Sequence, residues 1–430
     1  MEWNGGLGPE FQRGGPSIDS GVATRYFAGK IIGSGAYGTV ISAVDSTTGE
    51  EVAVKRISNV LKDYPSATRA LREIKFLRML QEHPNIVTVR DVLVPEMREN
   101  FRDVYVVCEK FPGDLGKILK SQTDLRKGHI KFIMFQILCG IDFLHRAKVF
   151  HRDLKPGNIL LNSKCHVSIC DFGLARAVVE GHSEELVWWT DYVATRWYRA
   201  PELILVHMAH YSTAIDMWSV GCIFAEILSR GEPLFPGSTI EEQFDLITQV
   251  TGTPSPALIA KLRTQKAREV VASLPRREGV PLRTLFPNAE DEELALLSGM
   301  LTFDPDERIS AGEALSSPYF AEFRDVYRER FVEAPVFSSD DFSFERHRLT
   351  EPQMRQEYLK EVAFYHPQVL EATEEKGNYA MESEARRMDM QMKHVEVEAS
   401  FRQTQTMPKE NTGDAEPEGQ SSILQEAAKR

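Results

Sequence analysis

The segment HRDLKPGNIL at 151–160 and the Asp that opens DFG at 171–173 bring four polar side chains of complementary kind close together in the chain. Asp153 supplies a carboxylate able to accept a proton, and Lys155 an ammonium able to meet an anion. Asn158 and Asp171 add hard oxygen donors. Four such groups at these spacings seldom arise by chance.

The string resembles the catalytic segment of the protein kinases, and the roles that follow are those the resemblance implies. Asp153 would orient the acceptor hydroxyl and accept its proton, while Lys155 would neutralise charge on the transferred group. Asn158 and Asp171 would hold Mg²⁺, with ATP as the phosphoryl donor. The fold implied is α+β and two-lobed, an antiparallel sheet with one key helix followed by a mostly helical lobe.

These groups need elements to position them. KIIGSGAYGTVISAVD at 30–45 contains Gly33, Gly35 and Gly38 as GxGxxG, a weak signal that dinucleotide-binding folds share. Context separates the two. The residues after Gly38 are Thr39, Val40, Ile41, Ser42, Ala43 and Val44, which favour a strand over the helix that a dinucleotide site requires. STTG at 46–49 reads as a turn into a second strand, EVAVKRI, which carries Lys55. A glycine-bearing hairpin with a surface lysine is the plain alternative.

SATRALREIKFLRML at 66–80 has helical composition, with Ser66 or Thr68 available as the N-cap. Ala70, Glu73, Leu77 and Leu80 share one face, so Glu73 lies in an apolar stripe and needs a cation. Lys55 is the partner that the kinase pattern supplies, though a glutamate at the stripe's edge can also simply reach water. After the strand DVYVVCEKF at 103–111, FPGDL turns to loop character, the expected hinge between lobes. By resemblance, the adenine edge would meet the Glu109 carbonyl and the Phe111 amide, with Cys108 at the back of the pocket. The nucleotide contacts implied are Gly33, Ser34, Gly35, Ala36, Tyr37, Gly38, Val40, Ala53, Lys55, Cys108, Glu109, Phe111 and Asp114. Cys170, just before DFG, reads first as a small buried hydrophobe.

The segment TDYVATRWYRAPEL narrows the resemblance to the mitogen-activated protein kinases, because a Thr-x-Tyr stands between DFG and the APE at 200–202. Thr190 and Tyr192 would be the phosphorylation sites, acted on by an upstream dual-specificity MAP kinase kinase and by phosphatases. A phosphothreonine needs a cationic cradle, which Arg72, Arg152 and Arg176 would form; Arg196 and Arg199 would meet the phosphotyrosine. Substrates with Ser/Thr-Pro sites are implied. Asp191 departs from the commoner middle residues, and Gly157 stands where Ser is frequent. Trp188 and Trp189 read either as packing for an inactive lip or as core anchors.

The resemblance spans Tyr26 to Phe320 and implies that Asp216 braces the catalytic loop and that Arg308 pairs with Glu202. Beyond it, AEFRDVYRERF keeps Asp325 of an acidic docking patch but carries Arg328 where acid is usual. SSDDFSFE at 338–345 and EYLKEVAFY at 357–365 suggest an extension returning to the small lobe. The expected divisions are a leader at 1–20, the small lobe at 21–110, the large lobe at 111–320 with its lip at 171–202, the extension at 321–366 and a charged tail at 367–430. In that tail Met381, Ala385, Met388, Met392, Val395 and Ala399 recur at helical spacing: a disordered, solvated tail is the plain reading, and an apolar seam that docks on the kinase domain and restrains it is the alternative.

Composition sets outer limits. The chain has 430 residues, 42% hydrophobic and 27% charged, and a net charge of −12 that argues against general nucleic-acid binding. Five cysteines without metal or CxxC spacing suit free thiols in a cytoplasmic or nuclear setting. No membrane association is expected, and a monomer is the default. Two rivals are a pseudokinase scaffold, which would typically lack Lys55, Asp153 or Asp171, and a small-molecule kinase, which the peptide-binding lip disfavours.

Overall fold

Alternating side chains build the first half of the protein. In the computed structural model, strands β1 (Tyr26–Gly35), β2 (Gly38–Asp45), β3 (Glu51–Ile57), β4 (Val89–Leu93) and β5 (Val104–Glu109) form one sheet in the order β1-β2-β3-β5-β4, every pair antiparallel. Period two sorts β5: Tyr105 and Val107 join a cluster with Tyr26, Ile41 and Val54 on one face, whereas Val104 and Val106 meet the larger core on the other. The structure describes residues 22–35, 38–95, 100–121, 125–178, 196–204, 212–261, 265–329, 331–338, 340–367 and 369. Two units divide the chain, Met1–Val369 and Leu370–Arg430, and every described residue belongs to the first.

The sheet's larger core face receives helix α1 (Tyr64–Leu80). Its N-cap is Asp63, not Ser66 or Thr68: the Asp63 carboxylate accepts from the Ser66 amide at 2.7 Å, and Pro65 fits the first turn because no N–H is needed there. Glu73 is buried on this helix, as its place in the apolar stripe requires. At the β1–β2 turn Gly38 has φ +141°, and a Cβ there would lie 2.2 Å from the Arg56 carbonyl oxygen, so no other residue fits.

The second half is mostly helical. It begins with β6 (Gly113–Asp114), α2 (Leu115–Lys120) and α3 (Lys127–Arg146), then β7 (Val149–Phe150), β8 (Ile159–Leu161), β9 (Val167–Ile169) and β10 (Arg176–Ala177). Helices α4 (Pro201–Ile204), α5 (Ala214–Leu228), α6 (Ile240–Thr251), α7 (Pro256–Lys261), α8 (Gln265–Ala272), α9 (Leu282–Leu285), α10 (Asp291–Met300), α11 (Ala311–Leu315) and α12 (Arg324–Glu329) follow. Helix α5 is apolar on nearly every side and lies inside the lobe, with Trp218, Val220, Ile223 and Phe224 fully buried. Buried beside it, Arg308 grips Glu202 through Nη1 at 2.7 Å and Nη2 at 3.1 Å. This is a two-lobed α+β fold.

Helices α13 (Ser343–Arg346) and α14 (Glu351–Tyr365) return to α1. Tyr358 donates its hydroxyl to the Ala67 carbonyl at 2.6 Å, and the buried Glu361 carboxylate receives Lys75 at 3.2 Å and Arg78 at 2.6 Å. Just past α14, His366 Nε2 lies 2.6 Å from Asp91 on β4. None of the helices among the described residues is long and apolar enough to cross a membrane.

Candidate functional site

The loop carrying Asp153 is fastened from below by Asp216. That carboxylate, fully buried at the start of α5, accepts from the His151 amide at 2.9 Å and the Arg152 amide at 2.8 Å, with His145 Nε2 at 3.1 Å. Burial alone would raise this carboxyl, but the His145 contact, His151 and the Arg152 amide outweigh it and hold it below the ordinary aspartate value. Arg152 is thereby fixed at φ +70°, a left-handed conformation rare for a non-glycine residue.

With the backbone so held, Asp153, Lys155 and Asn158 converge. Lys155 Nζ donates to Asp153 Oδ2 at 2.6 Å, and Asn158 Nδ2 donates to the Asp153 carbonyl at 2.8 Å and to Oδ2 at 3.3 Å. The Asp153 carboxylate is therefore aimed, while the Asn158 amide is turned with its nitrogen toward the loop.

Asp171 also has left-handed backbone, φ +66°, and opens a short 3-10 turn. Burial would raise its carboxyl, yet Lys55, Arg69, His151 and Lys155 hold it below the ordinary value, so it stays ionised. Asn158 and Asp171 together offer an amide oxygen and a carboxylate. Among the described residues no group of three or more His, Cys, Asp or Glu could hold a metal by itself. Two hard oxygen donors fit Mg²⁺ shared with a ligand's phosphates, since that ion keeps waters and takes few protein ligands.

Lys55 on β3 bonds Glu73 on α1 directly. Burial opposes a charged Lys55, but the nearby Glu73 and Asp171 carboxylates more than compensate and raise the ammonium above the usual lysine range. Sheet register groups the positions around it: Val40 stands opposite Lys55, Ala53 opposite Cys108, and Val52 opposite Glu109. Gly35, Gly38, Thr39 and Glu73 line part of a cavity of about 230 Å³ beneath the β1–β2 turn. Gly33 pairs with Val40 and Ser34 with Thr39, whereas Ala36 and Tyr37 lie outside the described residues. Burial pushes the Cys108 thiol up to about 12 and raises that of Cys170 as well, which disfavours the thiolate in both.

Two side chains of the connecting segment have local partners. The Glu109 carboxylate accepts from the Thr88 amide at 3.1 Å, and Phe111 stacks against His166 with centroids 6.3 Å apart. Asp114 caps α2 by accepting from the Lys117 amide at 2.9 Å.

Arg72, Arg152 and Arg176 gather around the turn that follows Asp171. Arg72 Nη1 donates to the Gly173 carbonyl at 2.6 Å, Arg152 Nη1 to Leu174 at 3.3 Å, and Arg176 Nη1 to Ala175 at 2.8 Å. Arg196 is engaged elsewhere, donating to the Ser238 carbonyl at 3.0 Å, and Arg199 joins the turn at 196–199 through its amide. Thr190, Tyr192, Trp188, Trp189 and the seam from Met381 to Ala399 lie outside the described residues.

One member of this site escaped the sequence reading. Glu345, the last residue of the SSDDFSFE run, bonds Arg72 Nε through Oε1 and lies 3.5 Å from Arg176 Nε through Oε2. The run at 338–345 reads as part of an extension returning to the small lobe, but the sequence gives no measure of which of its carboxylates will meet α1. Farther off, exposed Arg328 pairs with Asp325 one helical turn away, at 3.5 Å.

Residues 26–320 match the protein kinase domain family. The chain is similar to mitogen-activated protein kinase 14 of Oryza sativa subsp. japonica, 46% identical over 361 residues, covering 83% of this chain and 66% of the relative. It is also similar to mitogen-activated protein kinase 15 of the same rice, 46% identical with 83% and 72% covered, and to mitogen-activated protein kinase 9 of Arabidopsis thaliana, 47% identical with 82% and 68% covered. The chain thus spans about two thirds of the length of these relatives.

Proposed function

The chain belongs to the mitogen-activated protein kinase family, and from that premise we propose that it transfers the γ-phosphoryl group of ATP to Ser or Thr hydroxyls that precede Pro in protein substrates. The observation that carries this reading is the convergence of Asp153, Lys155 and Asn158 beside the Lys55, Glu73 and Asp171 cluster.

In this reading Asp153, with its Oδ2 held by Lys155 and Asn158, orients the acceptor hydroxyl and takes its proton as the oxygen attacks phosphorus. Lys155 faces the charge that spreads over the transferred group. Lys55, fixed by Glu73, holds the α- and β-phosphates, while Asn158 and Asp171 supply the oxygen donors for Mg²⁺. When bound, that ion neutralises phosphate charge. Gly33, Ser34, Gly35 and Gly38 let backbone approach the phosphates closely, and Val40, Ala53 and Cys108 offer apolar walls to the base.

Phosphorylation of Thr190 and Tyr192 by an upstream dual-specificity kinase, reversed by phosphatases, is proposed to complete the active state. The support for it is the arginine group around Gly173 and Leu174. Five free cysteines accord with action in the cytoplasm or nucleus. The test is transfer of labelled γ-phosphate from ATP to a generic basic protein by the purified chain. We expect transfer that rises after treatment with an upstream kinase and a strong fall when Pro after the acceptor is replaced by Ala in a peptide. No transfer by either form would leave a scaffold, and equal rates on Pro and Ala peptides would end the proline assignment.

A further inference from the structure

The arginine group assigned to a phosphate already holds an anion. Arg72 and Arg176 share the two oxygens of Glu345, one each, and none of the three side chains is more than 18% exposed. Two arginines could not remain so enclosed near each other without a compensating negative charge. Glu345 is also held in place by its neighbours. The Tyr64 hydroxyl donates to the carbonyls of Phe344 at 2.6 Å and His347 at 3.0 Å, on either side of Glu345, and the Phe344 ring is buried. Arg72 in turn reaches the Gly173 carbonyl, so one chain of contacts runs from the extension through α1 to the turn after Asp171. This arrangement coexists with an intact Lys55 to Glu73 pair one residue along the same helix.

We propose that Glu345 is the resident anion of this cradle in the unmodified chain, occupying the place of the Thr190 phosphate and keeping α1 paired with β3 until phosphorylation displaces it. The proposal rests on the functional reading above and concerns the regulation of that same site. A phosphate of nearly two negative charges brought to Arg72 and Arg176 meets the carboxylate as a like charge and competes with it for the same two guanidinium groups. Phosphate entry therefore expels Glu345 and loosens the short helix α13, while its own charge takes over the task of holding Arg72. Removing the carboxylate should matter before phosphorylation and little after it.

The test compares wild type and Glu345→Gln, each unmodified and doubly phosphorylated, by turnover on a basic protein and by hydrogen exchange over 338–350. We expect Glu345→Gln to lower unmodified turnover about tenfold, with a loss of less than about twofold after phosphorylation. Glu345→Asp, which keeps the charge on a shorter stem, should recover much of the unmodified rate. In wild type, phosphorylation should speed exchange at 338–350. An equal fractional loss in both forms would overturn the proposal, as would exchange that phosphorylation leaves unchanged. If wild type transfers no phosphate in either form, the kinase reading fails, and the exchange comparison still decides whether a phosphate displaces Glu345. The same comparison decides the matter if the Gln variant does not fold.

Discussion

Asp153 is held in place by Lys155 and Asn158, so its replacement removes one aimed carboxylate from an otherwise intact site. Asp153→Ala is expected to fold and to bind ATP near wild-type strength while turnover falls by about a hundredfold or more, the usual loss on removing a general base. Fluorescent nucleotide titration beside steady-state kinetics checks both parts, and a variant retaining more than about a hundredth of the rate would exclude the role. Lys55→Met acts differently, because it strips Glu73 of its cation as well as the phosphates of theirs, so weaker nucleotide binding should accompany lost turnover. Asp216 belongs to stability before chemistry. Asp216→Ala strands two backbone amides in the interior and should cost roughly 3 to 5 kcal/mol in chemical denaturation. Since the folded protein holds this carboxyl below its unfolded value near 4, its contribution is complete above that pH and drains away as pH falls through the depressed value. A wild-type acid-unfolding curve steeper than that of Asp216→Asn below about pH 4 is the expected result.

At the scale of elements, the lip and α1 are coupled through Arg72, whose guanidinium meets both the Gly173 carbonyl and Glu345. A Thr190→Ala, Tyr192→Phe double variant is therefore expected to keep the unmodified rate and to show no rise on treatment with an upstream kinase; full activity in that variant would refute lip control. What could be read from the sequence follows a physical division. The β1–β2 turn, the strand bearing Lys55 and the placing of Glu73 in an apolar stripe were legible because each is a matter of local pattern and of one charge needing another. The cap of α1 was misplaced by a few residues because Asp63, Ser66 and Thr68 all have capping side chains, and only the geometry at Pro65 selects among them. Glu345 was not legible for a different reason: the run that contains it reads as packing on the small lobe, but Arg72 lies 273 positions earlier and nothing local records which carboxylate will meet it.

Across the whole molecule, the extension completes the small lobe. Glu361 is only 2% exposed on its side chain and answers both Lys75 and Arg78, so Glu361→Ala should destabilise the protein by roughly 2 to 4 kcal/mol, read as a lowered midpoint in urea at unchanged slope. A change confined to the helical lobe in hydrogen exchange would show this to be mistaken. The same contacts order events in time. Helix α1 lies near the beginning of the chain, yet Arg78 waits for a carboxylate 283 residues downstream, and Tyr358 reaches back 291 to Ala67. A ribosome that has finished the helical lobe has still not released what α1 needs to bury Lys75 and Arg78. Helix α1 consequently completes these contacts only after the extension has been made, long after the strands it packs on.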